Sequence, residues 1–314
     1  MISMNRILIL FSVVLICSIG ITSHFSLKYS ESVVHDFKIE EMKSVISQKS
    51  QEIESLHTNA SEEIILILKD PLFVEYFELP ETKAGNVYED GVLQFTDKQN
   101  KIKNELEQVI YLFQNKFDVD ETCIIDRTGQ EHARLVLSRI AYDEDLSPDE
   151  EFSPFFEPSF EKNLGEVHLQ FPYVSPDTER WVFAYTSPVV LGDGQKPAFF
   201  HFEMPITVFQ ELVNVDLGRM YIVDPNGFIV ADSDDSSISN SKYKVMATTI
   251  TDFVPSDYFP SISEDLPFKD FESLLEMTNS ETELFEYNNN GERNYVLFKQ
   301  LSTFGWILVY EKLM

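Results

Sequence analysis

The sequence has few cysteines, few positive charges and none of the common catalytic motifs. Only Cys17 and Cys123 are cysteines among 314 residues, and neither has an evident partner, which excludes a disulfide framework. Lysine and arginine number 24 against 53 aspartates and glutamates, which gives a formal net charge of −29. A field of that sign repels phosphates, so we expect no nucleic-acid binding. An apolar content of 43% still allows packed cores.

Motifs of hydrolases, NTPases and zinc enzymes are missing too. There is no Gly-x-Ser-x-Gly, no Walker loop and no His-Glu-x-x-His. No two of the six histidines have the spacing that places both ligands on one helix face, so we expect no metal site and no cofactor. The acidic loop that begins at Asp232 lacks the glycine and the distal glutamate of a calcium-binding loop. We therefore predict a protein that is not an enzyme.

The chain does contain a repeated strand–turn–strand pattern. In residues 122–137 an apolar strand ends in Asp126, a turn contains Gly129, and a second strand alternates polar and apolar residues. Residues 220–231 repeat the pattern, with the Asp and the Gly 98 positions later. A spacing of about a hundred residues corresponds to one small domain. The repeat therefore predicts two similar antiparallel-sheet modules in tandem, which we place at 71–215 and 216–314.

One long apolar run lies near the start of the chain, at residues 7–21. Its length is borderline, because a membrane span needs about 20 apolar residues and a signal-peptide core about 7–15. We expect an uncleaved, single-pass anchor within residues 7–26, with residues 1–6 cytoplasmic and the chain after about residue 26 extracytoplasmic. A cleaved signal peptide is the alternative.

Residues 27–70 contain neither proline nor glycine and predict a long amphipathic helix that ends at Pro71. Apolar residues recur at seven-residue spacing, namely Ile39, Ile46, Ile53, Ala60 and Ile67. One interpretation is a stalk that packs on both modules and pairs with a second copy. The other is a core helix that packs only on its own sheet. We expect a homodimer through this helix.

The two modules are predicted to consist mainly of strands. A helix capped by Thr96 leads into the first hairpin. Residues 141–163, here called the covering segment, are rich in acids, phenylalanine and proline, and form either a pocket lid or an ordinary loop. Further strands are predicted at 165–171, 181–190, 197–204, 282–287, 293–299 and 304–311, with helices at 205–216 and within 268–277.

This order of elements resembles the double Cache sensor domain of bacterial and archaeal receptors. The resemblance is carried by IIDRTGQEHARL, LGEVHLQF, WVFAYTSPVV, YIVDPNGFIVADS, NYVLFKQL and GWILVYEKL. It implies an α+β fold in which a long N-terminal helix packs on two tandem PAS-like antiparallel sheet modules, the first of them membrane-distal. It also implies that a small molecule binds, most often in the distal module, and that a movement passes down the helix.

Family outputs include histidine kinases, cyclic-dinucleotide enzymes and chemotaxis domains, which follow a second membrane helix. This sequence stops at Met314, so we expect either a partner protein that receives the signal or a further C-terminal output domain. The predicted function is an extracytoplasmic small-molecule sensor in signal transduction. The alternative is a cell-surface solute-binding or protein-contact module without signalling output.

The candidate ligand-binding residues are polar and aromatic side chains of the first module. They are His132, Arg134, Tyr173, Arg180, Trp181 and Tyr185. Strand alternation predicts that His132 and Arg134 share one face. An arginine among aromatic rings suits a carboxylate ligand. The non-ligand interpretations are a salt bridge for Arg134 and core packing for Trp181 and Tyr185.

The resemblance bears on the kind of ligand. Amino-acid-binding members of the family pair an arginine with an aromatic residue in the covering segment, which here contains no arginine. Its acidic residues favour a cation such as an amine instead. The ligand is therefore predicted to be a carboxylate or an amine.

Overall fold

The computed structural model describes residues 4–117, 119–224, 229–234, 283–289 and 292–313. The longest element is helix α1 (Met4–Ile67), which starts well before the predicted stalk. Helix α2 (Pro71–Glu78) follows, with Pro71 in its first turn and the Asp70 carboxylate accepting a hydrogen bond from the Leu72 N–H. Because proline lacks the N–H that would continue α1, the long helix ends just before it.

Within the part of the chain that the structure describes, no helix is both long and apolar enough to cross a membrane. The predicted anchor at residues 7–21 falls largely on residues whose side chains lie outside the described set.

A short helix, a small hairpin and an 18-residue helix precede the first sheet. They are α3 (Pro80–Lys83), β1 (Tyr88–Glu89), β2 (Val92–Leu93) and α4 (Asp97–Gln114). The Thr96 side chain accepts from the Gln99 N–H, and the Gln99 side chain accepts from the Thr96 N–H. This reciprocal capping box confirms the helix start predicted at Thr96.

The first sheet contains six strands among the described residues. They are β3 (Glu121–Asp126), β4 (Glu131–Val136), β5 (Arg139–Ile140), β6 (His168–Val174), β7 (Trp181–Val189) and β8 (Ala198–Pro205). Their order is β5-β4-β3-β8-β7-β6, and every neighbouring pair is antiparallel. The hairpin predicted at 122–137 is confirmed as β3–β4. Gly129 in its turn has φ +84°, and an added Cβ would lie 2.6 Å from the Glu151 backbone nitrogen.

The second sheet repeats this arrangement around its own hairpin. After α5 (Phe156–Glu161) in the covering segment and α6 (Thr207–Leu212), the strands are β9 (Arg219–Val223), β10 (Ile229–Asp232), β11 (Glu283–Asn289), β12 (Glu292–Gln300) and β13 (Ile307–Leu313). The order β10-β9-β13 corresponds to β4-β3-β8 in the first sheet. The acidic loop beyond residue 234 and the helix predicted within 268–277 lie outside the described residues.

Helix α1 packs on both sheets of its own chain, contacting β7 of the first sheet and β12 and β13 of the second. Just past its middle Glu41 binds Lys312, 3.0 Å away, and near its end Glu63 binds Lys116. Ile46, Ile53 and Ala60 of the heptad are fully buried within the chain. The heptad positions are therefore used intramolecularly, and they lend no support to the predicted homodimer.

The first sheet is covered on both faces. One face joins α1, α2, α4 and the second sheet in the main core. The other packs against the covering segment in a smaller cluster that contains Phe155, Phe156, Phe160 and Phe199. The covering segment, predicted to be a pocket lid or an ordinary loop, therefore lies over this second face of the first sheet.

Candidate ligand-binding site

A cavity of about 350 Å³ lies between the first sheet and the covering segment. Its walls come from β3, β6 and β8 on the sheet side and from residues 150–155 on the other side. The polar side chains at the cavity are Glu121, Cys123, Glu150, Ser153, Tyr173, Asp177, His201 and Glu203. This volume is at the lower end of the range for small-molecule pockets.

The floor of the cavity is two adjacent cross-strand pairs. Cys123 on β3 lies opposite His201 on β8, and Glu121 lies opposite Glu203. In each strand the two residues are two positions apart, so all four side chains point to the same face. Each of them is at least 96% buried. The strand register thus gathers a thiol, an imidazole and two carboxylates in a small volume.

Three of these groups, Cys123, His201 and Glu203, form a continuous hydrogen-bonded chain with Tyr173 of β6. The Tyr173 hydroxyl donates to Glu203 Oε1 at 2.5 Å, and His201 Nε2 lies 3.2 Å from the same hydroxyl oxygen. Burial lowers the pKa of His201 to about 3, so the neutral ring carries one N–H at neutral pH. Because the Tyr173 hydroxyl gives its own proton to Glu203, its oxygen acts as an acceptor towards the ring. This places the N–H on Nε2, from which it donates to Tyr173. The other nitrogen, Nδ1, is left to accept from Cys123 Sγ, 3.1 Å away.

The cavity floor is strongly acidic. Burial, together with the neighbouring Glu203 carboxylate, raises the pKa of Glu121 well above its ordinary value. Burial raises the pKa of Glu203 to about 7 and also raises the pKa of the Cys123 thiol. Like charges directly opposite each other on neighbouring strands are destabilising unless a proton or a cation neutralises them.

The nearby arginines do not supply that cation. Arg134 Nη1 lies 3.3 Å from Glu131 and 3.2 Å from Asp177, and its Nη2 donates to the Asp145 carbonyl oxygen. Arg180 is paired with Asp120 at 3.1 Å. Among the described residues, neither Glu121 nor Glu203 forms an ion pair with a lysine or an arginine. The cavity is therefore suited to a positively charged guest.

A family model for the Cache domain matches residues 30–314 of the chain. The chain belongs to the double Cache family. Among solved structures, this Cache chain is similar to the sensory domain of the Campylobacter jejuni chemoreceptor Tlp3 with isoleucine bound, at 12% identity and a TM-score of 0.62, covering 90% of this chain and 95% of that chain.

A second similar structure is the ligand-binding domain of the Pseudomonas fluorescens chemoreceptor CtaA in complex with L-serine. The identity is 12%, the TM-score is 0.53, and the match covers 88% of this chain and 96% of that chain. At such identities the likeness establishes the fold alone. No curated protein sequence matches the chain significantly.

The Cache chain places the six predicted ligand residues in different surroundings. Tyr173 lines the cavity. Arg134 lies beside it and holds the cavity residue Asp177 through an ion pair. Arg180 lies outside the cavity, with a side chain that is 57% exposed. The salt-bridge interpretation therefore describes Arg134, and Arg180 forms an ion pair as well.

Trp181 and Tyr185 lie in the main core, on the helix-facing side of the sheet. The Tyr185 ring stacks on Phe202 with a centroid separation of 4.8 Å, and its hydroxyl lies 2.5 Å from His57 Nδ1 of α1. Strand alternation sends these rings away from the cavity, because Tyr185 pairs with Phe202 rather than with the cavity residues His201 and Glu203. The core-packing interpretation describes both rings.

The prediction that His132 and Arg134 share a face was wrong. The register of β3 against β4 shifts so that Ile124 pairs with Ala133 and Ile125 with Glu131, leaving His132 as the extra residue of a bulge. His132 consequently points towards α2, where its Nδ1 lies 2.9 Å from the Tyr76 hydroxyl and its Nε2 lies 3.0 Å from Asp126 Oδ2. It borders a separate cavity of about 290 Å³.

The sequence prediction missed Glu121, Cys123, His201 and Glu203. A usable signal was present, since Glu-Thr-Cys and His-Phe-Glu each place two chemically active side chains two residues apart, the first beginning one residue before a predicted strand and the second inside one. Alternation predicts that each pair shares a face. It does not predict that the two strands are neighbours in this register.

Proposed function

We propose that this double Cache chain is an extracytoplasmic sensor for a small cationic solute, with a binding rather than a catalytic role. The observation that carries the proposal is the Glu121–Glu203 pair, two buried carboxylates that face each other at the floor of a cavity. A bound cation neutralises both. A free carboxylate ligand would instead need an unoccupied arginine, and the arginines near this cavity are already paired.

The arrangement of the chain supports a sensing role. Residues 7–21 anchor it in the membrane, and the first module, residues 71–215, is the membrane-distal one. Helix α1 binds the second sheet near Glu41, and near Glu63 it binds Lys116 in the first module, so it runs past the second module to reach the first. A partner protein or an output domain receives the signal.

A contiguous path connects the cavity to this helix. His201 and Glu203 face the cavity, while Phe202 between them points into the core and stacks on Tyr185. Tyr185 hydrogen-bonds to His57 of α1, and the His57 ring meets Trp306 of the second module edge-to-face at 4.6 Å. A ligand that shifts β8 thus biases the packing of α1 between two states.

The test is a melting-temperature screen of the full chain in detergent against amines, divalent cations, amino acids and carboxylates. A ligand at a hundred times its Kd adds about 2.7 kcal/mol to the free energy of unfolding, so we expect a clear shift with a cation. Glu203→Gln is expected to lose the shift. The exposed Glu105→Gln on α4 is the matched control and is expected to keep it.

A shift with carboxylates alone, or one that survives in Glu203→Gln, would contradict a cation site in this cavity. Absence of any shift would favour the protein-contact alternative. As a second readout, spin labels at Glu40 and Glu105 compare the position of α1 with and without the ligand. Identical distances would rule out transmission through the helix.

A further inference from the structure

Three different metal-ligating atoms converge at the cavity floor. A carboxylate oxygen of Glu121, the Sγ of Cys123 and a ring nitrogen of His201 all lie within 4.8 Å of one another, and all three residues are buried. Ligand atoms bound to one metal at about 2.0–2.3 Å are themselves separated by roughly 3–4 Å, so small side-chain adjustments would bring all three onto a single ion.

The donor set selects a class of metal. Calcium and magnesium prefer sites made only of oxygen atoms. A thiolate and an imidazole together with one carboxylate suit Zn²⁺ and its neighbours Co²⁺ and Ni²⁺. Three protein ligands leave a fourth coordination position, and Glu121, Cys123 and His201 all line the cavity. Such an open position accepts water or a small solute.

The surroundings of His201 are those of a metal ligand. A coordinating histidine usually donates its second ring N–H to an acceptor that fixes the ring orientation. Here Nδ1 faces Cys123 Sγ, and Nε2 lies 3.2 Å from the Tyr173 hydroxyl, which in turn donates to Glu203. Coordination through Nδ1 preserves both outer hydrogen bonds. Metal binding releases the thiol proton of Cys123 and any proton held by the Glu121 carboxyl to solvent.

A bound organic amine would explain fewer of the side chains at the cavity floor than a bound metal ion does. An ammonium group needs acceptors, and Glu121 and Glu203 would provide them. It gives no role to the thiol and the imidazole nitrogen, which are paired directly across the strands on the same face.

We propose that Glu121, Cys123 and His201 bind a divalent transition metal ion of the zinc class. Tyr173 and Glu203 hold the His201 ring in the orientation that this binding requires. The proposal rests on the proposed function, because it names the cation that the first module senses.

The test uses the full chain without a histidine tag, stripped of metal with a chelator and titrated with Co²⁺. Thiolate coordination is expected to produce a sulfur-to-cobalt charge-transfer absorption that one equivalent of Zn²⁺ abolishes. The chain has two cysteines, which provides a matched pair: Cys123→Ser is expected to lose the absorption and Cys17→Ser to keep it. His201→Gln is expected to lose it, whereas His168→Gln, outside the cavity, is expected to keep it.

Tyr173→Phe tests the outer hydrogen bonds. It retains all three ligands but removes the acceptor of the His201 N–H, so we expect Zn²⁺ affinity to fall about 10–100-fold with the absorption still present. An unchanged affinity would contradict the assigned orientation of His201. Circular dichroism of every variant establishes that it is folded.

The outcomes separate this proposal from the broader one. No charge-transfer absorption in the folded wild-type chain, or one that persists in Cys123→Ser, overturns the metal site. If amines still raise the melting temperature in that case, the proposed function as a cation sensor is retained and only the identification of the cation as a metal ion is wrong. If neither cobalt, zinc nor amines bind, both proposals fail.

Discussion

The two modules repeat one hairpin but carry opposite charges at the same place. Glu121 on β3 of the first module lies opposite Glu203 on β8. The residue 98 positions after Glu121 is Arg219 on β9, which lies opposite Glu311 on β13. The first module therefore pairs two acids across its central strands, and the second pairs an arginine with an acid.

The consequences for burial differ as well. In the second module Arg219 binds Asp232 through two hydrogen bonds of 2.9 and 2.5 Å, and Gln210 satisfies the backbone of Asp232. In the first module no lysine or arginine among the described residues forms an ion pair with either of the two facing acids. Buried charges that are paired and hydrogen-bonded belong to the structure, whereas an unpaired set beside a cavity indicates a ligand. The comparison thus gives the second hairpin a structural ion pair and supports the binding role proposed for the first.

The largest expected effect comes from removing the cation of the second module. Arg219→Met leaves the fully buried Asp232 without its partner, so the free energy of unfolding is expected to fall by about 3–5 kcal/mol. Urea unfolding followed by circular dichroism measures it. Glu121→Gln, at the equivalent position, replaces an acid whose pKa burial raises well above its ordinary value, and is expected not to destabilise the chain. Equal losses in the two variants would mean that the modules do not differ in this way.

A smaller expected effect is on the pH dependence of the free energy of unfolding, through the buried acid Glu311. Burial raises the pKa of Glu311 to about 7, against the lowering effects of Arg219 and the Tyr221 hydroxyl, and Asp232 and Asp234 raise it further. Between its ordinary value of 4.5 and about 7, the folded chain holds a proton that the unfolded chain has released. This contribution to stability is fully present below pH 4.5 and is lost as the pH rises through 7.

The free energy of unfolding of the wild type is expected to fall by roughly 2 kcal/mol between pH 5 and 8 because of Glu311, at about 1.4 kcal/mol per pKa unit. Glu311→Gln is expected to remove this fall. Urea midpoints at several pH values measure it, with the half-exposed Glu41→Gln as the control. Parallel pH profiles for wild type and Glu311→Gln would show that the acid is ionised in the folded state. The Arg219 pairing would then be more complete than the structure indicates.

The smallest expected effect on stability comes from a substitution that gives the first module the arginine of the second. The same substitution is expected to abolish cation binding. Glu121→Arg gives the first module the charge of the second and places an arginine opposite Glu203, where the cavity provides room. We expect a gain of about 0.2–1 kcal/mol from the opposite-charge pair and complete loss of the melting shift with cations. A variant that is folded and still responds to cations would show that the Glu121–Glu203 pair is not the binding determinant.

Local signals predicted the elements well. The Thr96 capping box, the stop before Pro71 and the glycine turn of the first hairpin act within a few residues, so their physical causes are visible in the sequence. The candidate site was predicted less well. A single bulge in β4 turned His132 away from Arg134, because one extra residue reverses every side chain that follows it in a strand.

The sequence by itself determined the kind of fold: the repeated hairpin, the long helix and the order of strands between them follow from local periodicity and turn chemistry. Only the tertiary structure decided which residues form the site. Cys123 and His201 are 78 positions apart, and they meet because β3 and β8 are neighbours in one particular register. That register depends on the packing of the whole sheet against α1 and the covering segment, and a shift of one residue would have placed the same side chains in the core.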